Sequence, residues 1–317
     1  MRFALMIEPQ QGLSYEEQLA IARRAEAAGF EALFRSDHYQ SFPGPAGRPT
    51  TDAWTVLAGL ARETSRLRLG VLVSPVTFRH PGQFAKVVTT VDEMSGGRID
   101  VGVGAGWNED EHRQLGLPFP PLETRVERLE EELAILHGLW GEPDGWSFRG
   151  PSVAIEGATF HPRPLQRPRP PIVLGGEGSG RSVRLAARWA DEYNLSKGDA
   201  AAVAVALRRL DDACRAIGRD PATLRRSAMV GTLVGAHPAE VARRVRAQLE
   251  MLELPAGQAD DWLAARRPRW IIGTPDEARA TARRFAEAGC DRVMLQVLLP
   301  RDLEMIDLLG EELIGKV

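Results

Sequence analysis

Three stretches of this chain combine chemically capable residues with a spacing that could expose them. The first is Ser36-Asp37-His38, directly after the short apolar run Ala32-Leu33-Phe34. Histidine changes charge near neutral pH, so it can take or give a proton, and a neighbouring aspartate can orient it or accept a ligand's hydrogen bond. The same pair also suits a turn, because aspartate readily bonds its own backbone, and alone it does not decide between the two. The second stretch is Gly175-Gly176-Glu177-Gly178-Ser179-Gly180, between Ile172-Val173-Leu174 and a helical pattern starting at Arg181. Backbone N–H groups at a helix start favour a phosphate, and Ser179 and Arg181 could add contacts. The spacing is neither a dinucleotide fingerprint nor a P-loop, and a plain strand-to-helix turn competes with the anion reading. The third is Ile99-Asp-Val-Gly-Val-Gly-Ala-Gly106, followed by Trp107-Asn108. Its glycines strip one face of side chains and leave a wall against which a flat ligand could lie.

Other chemistries find little support. The six histidines are scattered, and none forms the paired spacing of a metal site. Glu109-Asp-Glu-His112 could ligate a cation, but acids in a first helical turn usually answer the helix dipole. No G-x-S-x-G elbow marks a serine hydrolase. The net charge of −3 gives no electrostatic footprint for nucleic acid. No apolar run reaches the roughly 18 residues needed to span a membrane. Two cysteines without motif spacing and no leader-like N-terminus lead us to expect a reduced, cytoplasmic protein.

The elements that would position these residues alternate regularly. Strands are expected at Phe3–Ile7, Ala32–Phe34, Leu67–Val73, Arg98–Ala105, Ile172–Leu174, Glu192–Leu195, Ser227–Val234 and Arg292–Leu298, with helices between them. Ser14 with Glu17, and Thr274 with Glu277, read as capping boxes, and Gly29 and Gly289 as helix stops. Eight-fold β/α alternation over 317 residues is the pattern of a single (β/α)8 TIM barrel spanning 1–317; an open doubly wound sheet is the runner-up. Two insertions interrupt it, at about 141–171, read as a hairpin and a stiff proline-rich connector, and at about 254–268, read as a polar excursion. In a barrel, residues at the C-terminal ends of strands share one mouth. That would collect Glu8, then Ser36, Asp37 and His38, then Val73 and Ser74, then Gly104, Ala105, Gly106, Trp107 and Asn108, and finally the loop Gly175, Gly176, Glu177, Gly178 and Ser179.

Over essentially its whole length the chain resembles the bacterial luciferase-like superfamily, and within it the coenzyme F420-dependent oxidoreductases. The likeness is carried by Ala28-Gly-Phe-Glu-Ala-Leu-Phe-Arg-Ser-Asp-His38, Leu69-Gly-Val-Leu-Val-Ser-Pro-Val-Thr-Phe-Arg-His-Pro81, Asp92-Glu-Met-Ser-Gly-Gly-Arg98, Gly102-Val-Gly-Ala-Gly-Trp107 and Ile172-Val-Leu-Gly-Gly-Glu-Gly178. The resemblance implies a TIM barrel binding F420, or alternatively FMN, at its mouth, with Asp37 and His38 beside the ring and His38 handling a proton. It also implies a bulged, non-proline cis peptide around Leu72–Ser74 behind the ring, and a cofactor phosphate at Gly176–Ser179. One departure stands out. Deazaflavin sugar-phosphate dehydrogenases carry a tryptophan shortly after the histidine and a glutamate straight after the strand-four glycines, where this chain has Ser41-Phe42 and Trp107. Glu8 and Glu109 are the candidates for a second proton-transfer group. The expected function is hydride transfer between reduced F420 and a small organic substrate. The alternatives are an FMN-dependent monooxygenase fed by a separate reductase, and a non-catalytic flavin-binding protein. A homodimer is expected, with no nucleic-acid or membrane partner and no metal.

Overall fold

The chain is described by a computed structural model covering residues 1–317. Its strands are β1 (Arg2–Ile7), β2 (Ala32–Arg35), β3 (Arg68–Pro75), β4 (Ile99–Gly104), β5 (Trp146–Arg149), β6 (Ala154–Ala158), β7 (Ile172–Gly176), β8 (Glu192–Leu195), β9 (Arg225–Val234), β10 (Ile271–Gly273) and β11 (Arg292–Val297). Its helices are α1 (Tyr15–Ala27), α2 (Ala53–Glu63), α3 (Pro81–Ser95), α4 (Glu109–Leu115), α5 (Leu122–Gly141), α6 (Gly180–Trp189), α7 (Ala200–Ala216), α8 (Pro238–Met251), α9 (Ala259–Arg266), α10 (Pro275–Glu287) and α11 (Leu303–Leu313). Eight parallel strands run in the order β1-β2-β3-β4-β7-β8-β9-β11, and β11 pairs back onto β1 to close the barrel. This is the (β/α)8 architecture expected from the alternation.

Local signals set the element ends. Ser14 and Glu17 exchange both bonds of a capping box, the Ser14 N–H donating to Glu17 at 2.8 Å and the Glu17 N–H to Ser14 Oγ at 3.2 Å. Thr274 and Glu277 start α10 in the same way. The first insertion contains an antiparallel hairpin, β5 with β6. The second is not an open excursion: it holds a 3₁₀ turn at Ala256–Gln258, the helix α9 and the short strand β10. Weak periodicity hid α9 because Trp262 is the only residue it buries, and three residues of β10 are too few to show alternation.

Two cores divide along the strand alternation. Outward side chains such as Leu5, Leu33, Leu69, Val101 and Val230 pack under the helices, while Ala4, Met6, Ala32, Phe34, Leu72, Val173 and Met294 fill the barrel interior. Below that apolar layer, the N-terminal end of the barrel is filled by charge. The fully buried Arg292 guanidinium donates to Glu192 at 2.5 and 3.2 Å, and Arg68 donates to Asp100 at 2.5 Å. The polar groups described next lie above the apolar layer, at the C-terminal mouth.

Candidate active site

The floor of the mouth is a directed chain of hydrogen bonds. Glu8, at the end of β1, accepts from the Gln10 amide and from the Gln296 amide, each at 2.6 Å. A carboxylate only accepts, so it fixes the orientation of both carboxamides. Gln10 Oε1 is thereby left to accept from the Ser36 hydroxyl, also at 2.6 Å. The Ser36 proton is used inside the protein, and the lone pairs of its oxygen are what it can offer a ligand. Both Glu8 oxygens are likewise engaged, which suits a positioning group better than a free base. Neither Gln10 nor Gln296 stood out in the sequence.

The Asp37-His38 pair is divided between two partners. Asp37 is buried and receives Arg79 Nη1 at 2.6 Å; Arg79 Nη2 turns to the Tyr39 hydroxyl at 3.0 Å and to Asp52. Burial raises the Asp37 pKa, opposed by the Arg79 charge. Burial also works against Arg79, but Asp37, Tyr39 and Asp52 outweigh it and hold the guanidinium above its ordinary value. Asp52 is pushed up by burial and down by the Thr55 amide, Arg79 and the Tyr39 hydroxyl, and it ends at about 2. His38 is held by Glu111: Nδ1 lies 2.9 Å from Oε1, while Oε2 accepts the Tyr39 N–H at 3.0 Å. Glu111 is 1% exposed. Its carboxylate requires the proton on Nδ1, so Nε2, which has no protein partner, carries the lone pair of the neutral ring. The imidazole is packed edge-on against Phe42 at 4.4 Å and Trp107 at 5.6 Å, and Phe42 and Trp107 themselves meet at 5.2 Å.

The acid bonded to the histidine is thus Glu111, whereas the neighbouring Asp37 is taken by Arg79. Glu109 is exposed in the first turn of α4 and reaches none of these groups. His112, wholly buried, braces the same turn, with Nδ1 bonded to the Asn108 carbonyl and Nε2 to Thr77 Oγ1, both at 2.6 Å. Trp107 stands out at 67% exposure.

The glycine face of β4 is not an empty wall. β3 bulges between Val71 and Ser74, and the Leu72–Val73 peptide is cis. A Cβ on Gly102 would run into the Val71 carbonyl oxygen, and one on Gly104 would come within 2.5 Å of Val73 Cγ2. A Cβ on Gly175 of β7 would come within 2.9 Å of the other Val73 methyl. These glycines therefore admit the bulge, and Val73 itself becomes the surface presented to the mouth. Ser74 turns the other way, its hydroxyl accepting from Trp54 Nε1 at 2.8 Å in the helical layer. Ala105 and Gly106 continue the rim, and Gly106, at φ +79°, lies where a Cβ would press on Thr77 at 3.1 Å.

The glycine loop after β7 is tied from below by Tyr193, whose hydroxyl accepts the Gly178 N–H at 2.9 Å and meets Ser182 Oγ at 2.7 Å. A Cβ on Gly176 would come within 2.5 Å of that hydroxyl. Ser179 caps α6 by accepting the Ser182 N–H at 3.3 Å, and Glu177 pairs with Lys197 at 2.5 Å. The N–H groups of Glu177 and Ser179 in the loop, and of Gly180 and Arg181 in the first turn of α6, have no protein acceptor. An anion could be received by these donors, which start within the Gly176–Ser179 run and extend into α6. Two open cavities, of about 470 and 520 Å³, lie at the opposite end of the barrel, around Arg169 and Asp191 and beside Trp146 and Trp189, and contain none of these residues. No group of histidine, cysteine or acidic side chains is arranged to hold a metal, and no helix is long and apolar enough to cross a membrane.

A closed parallel barrel with an Asp-His pair, a bulged third strand and a glycine loop at one mouth is a luciferase-like architecture. Residues 1–292 match the luciferase-like monooxygenase family, and the chain belongs to it. It is 36% identical over 176 residues to an F420-dependent glucose-6-phosphate dehydrogenase of Microbacterium testaceum, covering 55% of this chain and 50% of that protein. It is 32% identical over 188 residues to an FMNH2-dependent dimethylsulfone monooxygenase of Pseudomonas putida, covering 59% and 50%. The chain thus spans about half the length of these relatives. Among solved structures, an F420-dependent secondary alcohol dehydrogenase superposes with a TM-score of 0.84 at 19% identity, over 99% of this chain and 98% of the other. A monooxygenase from Streptomyces bottropensis superposes with 0.83 at 24% identity, over 99% of both chains. At these identities the superpositions establish the fold alone.

Proposed function

We propose that this protein is an oxidoreductase that binds reduced F420 at the C-terminal mouth of the barrel and acts on an organic substrate there. The observation that carries the reading is the Glu111–His38 pair, which leaves an unpartnered, proton-accepting Nε2 at the mouth. The residues present fit the cofactor. Val73 offers an apolar face for a ring, and the free N–H groups of Gly180 and Arg181 suit its phosphate. Bound there, reduced F420 supplies a hydride. His38 Nε2 takes or returns the proton that accompanies it, Glu111 fixes the tautomer, and Arg79 keeps Asp37 oriented beside the histidine. Ser36 offers an acceptor, and the Glu8–Gln10–Gln296 chain holds it in place. Phe42 and Trp107 cover His38 and limit its contact with water.

A second reading, FMN-dependent oxygenation with a partner reductase, is favoured by the similarity to the dimethylsulfone monooxygenase and by Phe42 and Trp107, which stand where deazaflavin sugar-phosphate dehydrogenases carry other residues. Calorimetric titration with F420 and with FMN separates the two. Tight FMN binding with no F420 heat would refute the first reading, and oxygen-dependent product formation with FMNH2 would establish the second. The homodimer expected from the resemblance belongs to the same proposal, and sedimentation equilibrium tests it.

A further inference from the structure

We infer that Trp270 and Arg266 form the substrate side of the mouth and select a flat organic substrate bearing an anionic group. This rests on the reading that the mouth holds a redox cofactor. On β9, Met229 packs with the barrel interior and Val230 with the outer core, so Gly231 faces inward. β10 pairs with the upper part of β9, Ile271 opposite Thr232, which brings Trp270 beside Gly231. A Cβ on Gly231 would overlap the Trp270 indole, so the indole lies on the inner face of β9. The other neighbour of Gly231 is Gln296, whose amide bonds Glu8, and the indole therefore stands at the level of the polar floor. β9 and β3 are four strands apart in either direction around the barrel, so Trp270 faces the Val73 wall across the mouth. A slot between a methyl-lined wall and an indole suits a flat body.

Packing alone would explain the indole but not the cation above it. Trp262, buried on α9, meets Trp270 edge-on at 5.4 Å, and the Arg266 guanidinium lies 4.2 Å from the Trp262 ring and 5.3 Å from the Trp270 ring. Its one hydrogen bond is to the Trp262 carbonyl oxygen at 3.2 Å, and no carboxylate pairs with it. Arg269 beside it is also unpaired, while Arg267 reaches Glu277 at 3.5 Å. A guanidinium resting on two indoles and lacking a counterion is a receptor for a carboxylate, sulfonate or phosphate. Helix α9 of the second insertion thus sets both Trp262 and Arg266 against Trp270.

The test loads the protein with whichever of F420 and FMN it binds and titrates it with 2-naphthoate and with uncharged 2-naphthylmethanol, reading tryptophan fluorescence and heat. The wild type should bind the carboxylate about tenfold more tightly than the alcohol. Trp270→Ala should weaken both by about tenfold, whereas Arg266→Ala should weaken the carboxylate alone by about tenfold. Both variants should keep cofactor affinity within about twofold. Trp270→Phe, with an unchanged melting temperature, should retain most of the binding and guards against misfolding. Carboxylate affinities equal to wild type in both alanine variants would overturn the inference, as would a wild type that does not distinguish the two probes. Loss of F420 affinity in Arg266→Ala would give the anion subsite to the cofactor and overturn the substrate assignment. If the wild type binds neither cofactor, the redox reading fails by itself, and the same naphthoate series on the free protein still decides the wall.

Discussion

Replacing Glu111 by glutamine isolates what the carboxylate does for His38. The two Glu111 oxygens receive two donors, His38 Nδ1–H at 2.9 Å and the Tyr39 N–H at 3.0 Å. A carboxamide of the same shape has only one oxygen. The backbone N–H cannot become an acceptor, and leaving it buried and unpaired would cost about 1–3 kcal/mol. The imidazole can become one by moving its proton from Nδ1 to Nε2. The amide oxygen should therefore stay with Tyr39, and its NH2 group should face Nδ1. Glu111→Gln then folds normally but puts a proton on Nε2, where the mouth needs a lone pair.

The loss can be bounded from the same geometry. A hydrogen bond to a charged group contributes about 1.5–3 kcal/mol, which corresponds to about ten- to a hundredfold in rate if it is realised when His38 takes the proton. Cofactor affinity should stay within about twofold, because Glu111 lies behind the imidazole. Two-bond ¹⁵N–¹H correlation spectra read the tautomer directly, and cofactor oxidation under single-turnover conditions reads the rate. A variant in which Nδ1 keeps its proton, or in which the tautomer inverts while the rate does not change, would refute the account of His38.

Three further outcomes follow from other parts of the molecule. Glu132 is 2% exposed, and burial lifts its pKa from 4.5 to about 8, opposed by Arg79. The folded state therefore holds a proton that the unfolded chain releases, and stability falls by about 1.4 kcal/mol per pH unit between these two values. Urea midpoints measured from pH 5 to 8 should show that slope in the wild type and lose it in Glu132→Gln. Gly104→Ala drives a methyl into Val73, which should cost about 1–3 kcal/mol of stability and weaken cofactor binding, read by thermal melting and titration. Cofactor binding should raise hydrogen-exchange protection in the 40–49 loop and in the 254–268 insertion, which flank the mouth; unchanged protection would exclude a gating role.

What the sequence made legible and what it hid follow the range of the interactions. The strands of the barrel are long enough to alternate, and the capping boxes at Ser14 and Thr274 act within four residues, so both can be read locally. Although the pair alone suited a turn equally, Asp37 and His38 could be singled out because they follow a short apolar strand. Their partners could not. Glu111 is 73 positions from His38, Arg79 is 42 from Asp37, and Gln296 is 288 from Glu8. Nothing in Glu109-Asp-Glu111 distinguishes the exposed acid from the buried one until the first turn of α4 is set against the end of β2. Helical geometry then decides it, because residues two apart on a helix point in different directions.

The glycines of β4 make the same point from the opposite side. The alternate glycines of β4 suggested a bare wall for a flat ligand, but the chain itself lies against that face. The identity of the neighbour depended on a bulge in β3, and a bulge adds a residue without a compositional mark. Gly102 and Gly104 therefore answer to the chain's own backbone and to Val73, one step removed from any ligand. Gly231 repeats the device on the opposite wall, where the space left by the missing side chain is taken by Trp270. In both places a glycine on one barrel strand admits a bulky side chain from a neighbouring strand, and on the proposed reading these imported side chains would set the width of the slot. Substitutions at the glycines should therefore reshape the site as strongly as substitutions at Val73 and Trp270 themselves.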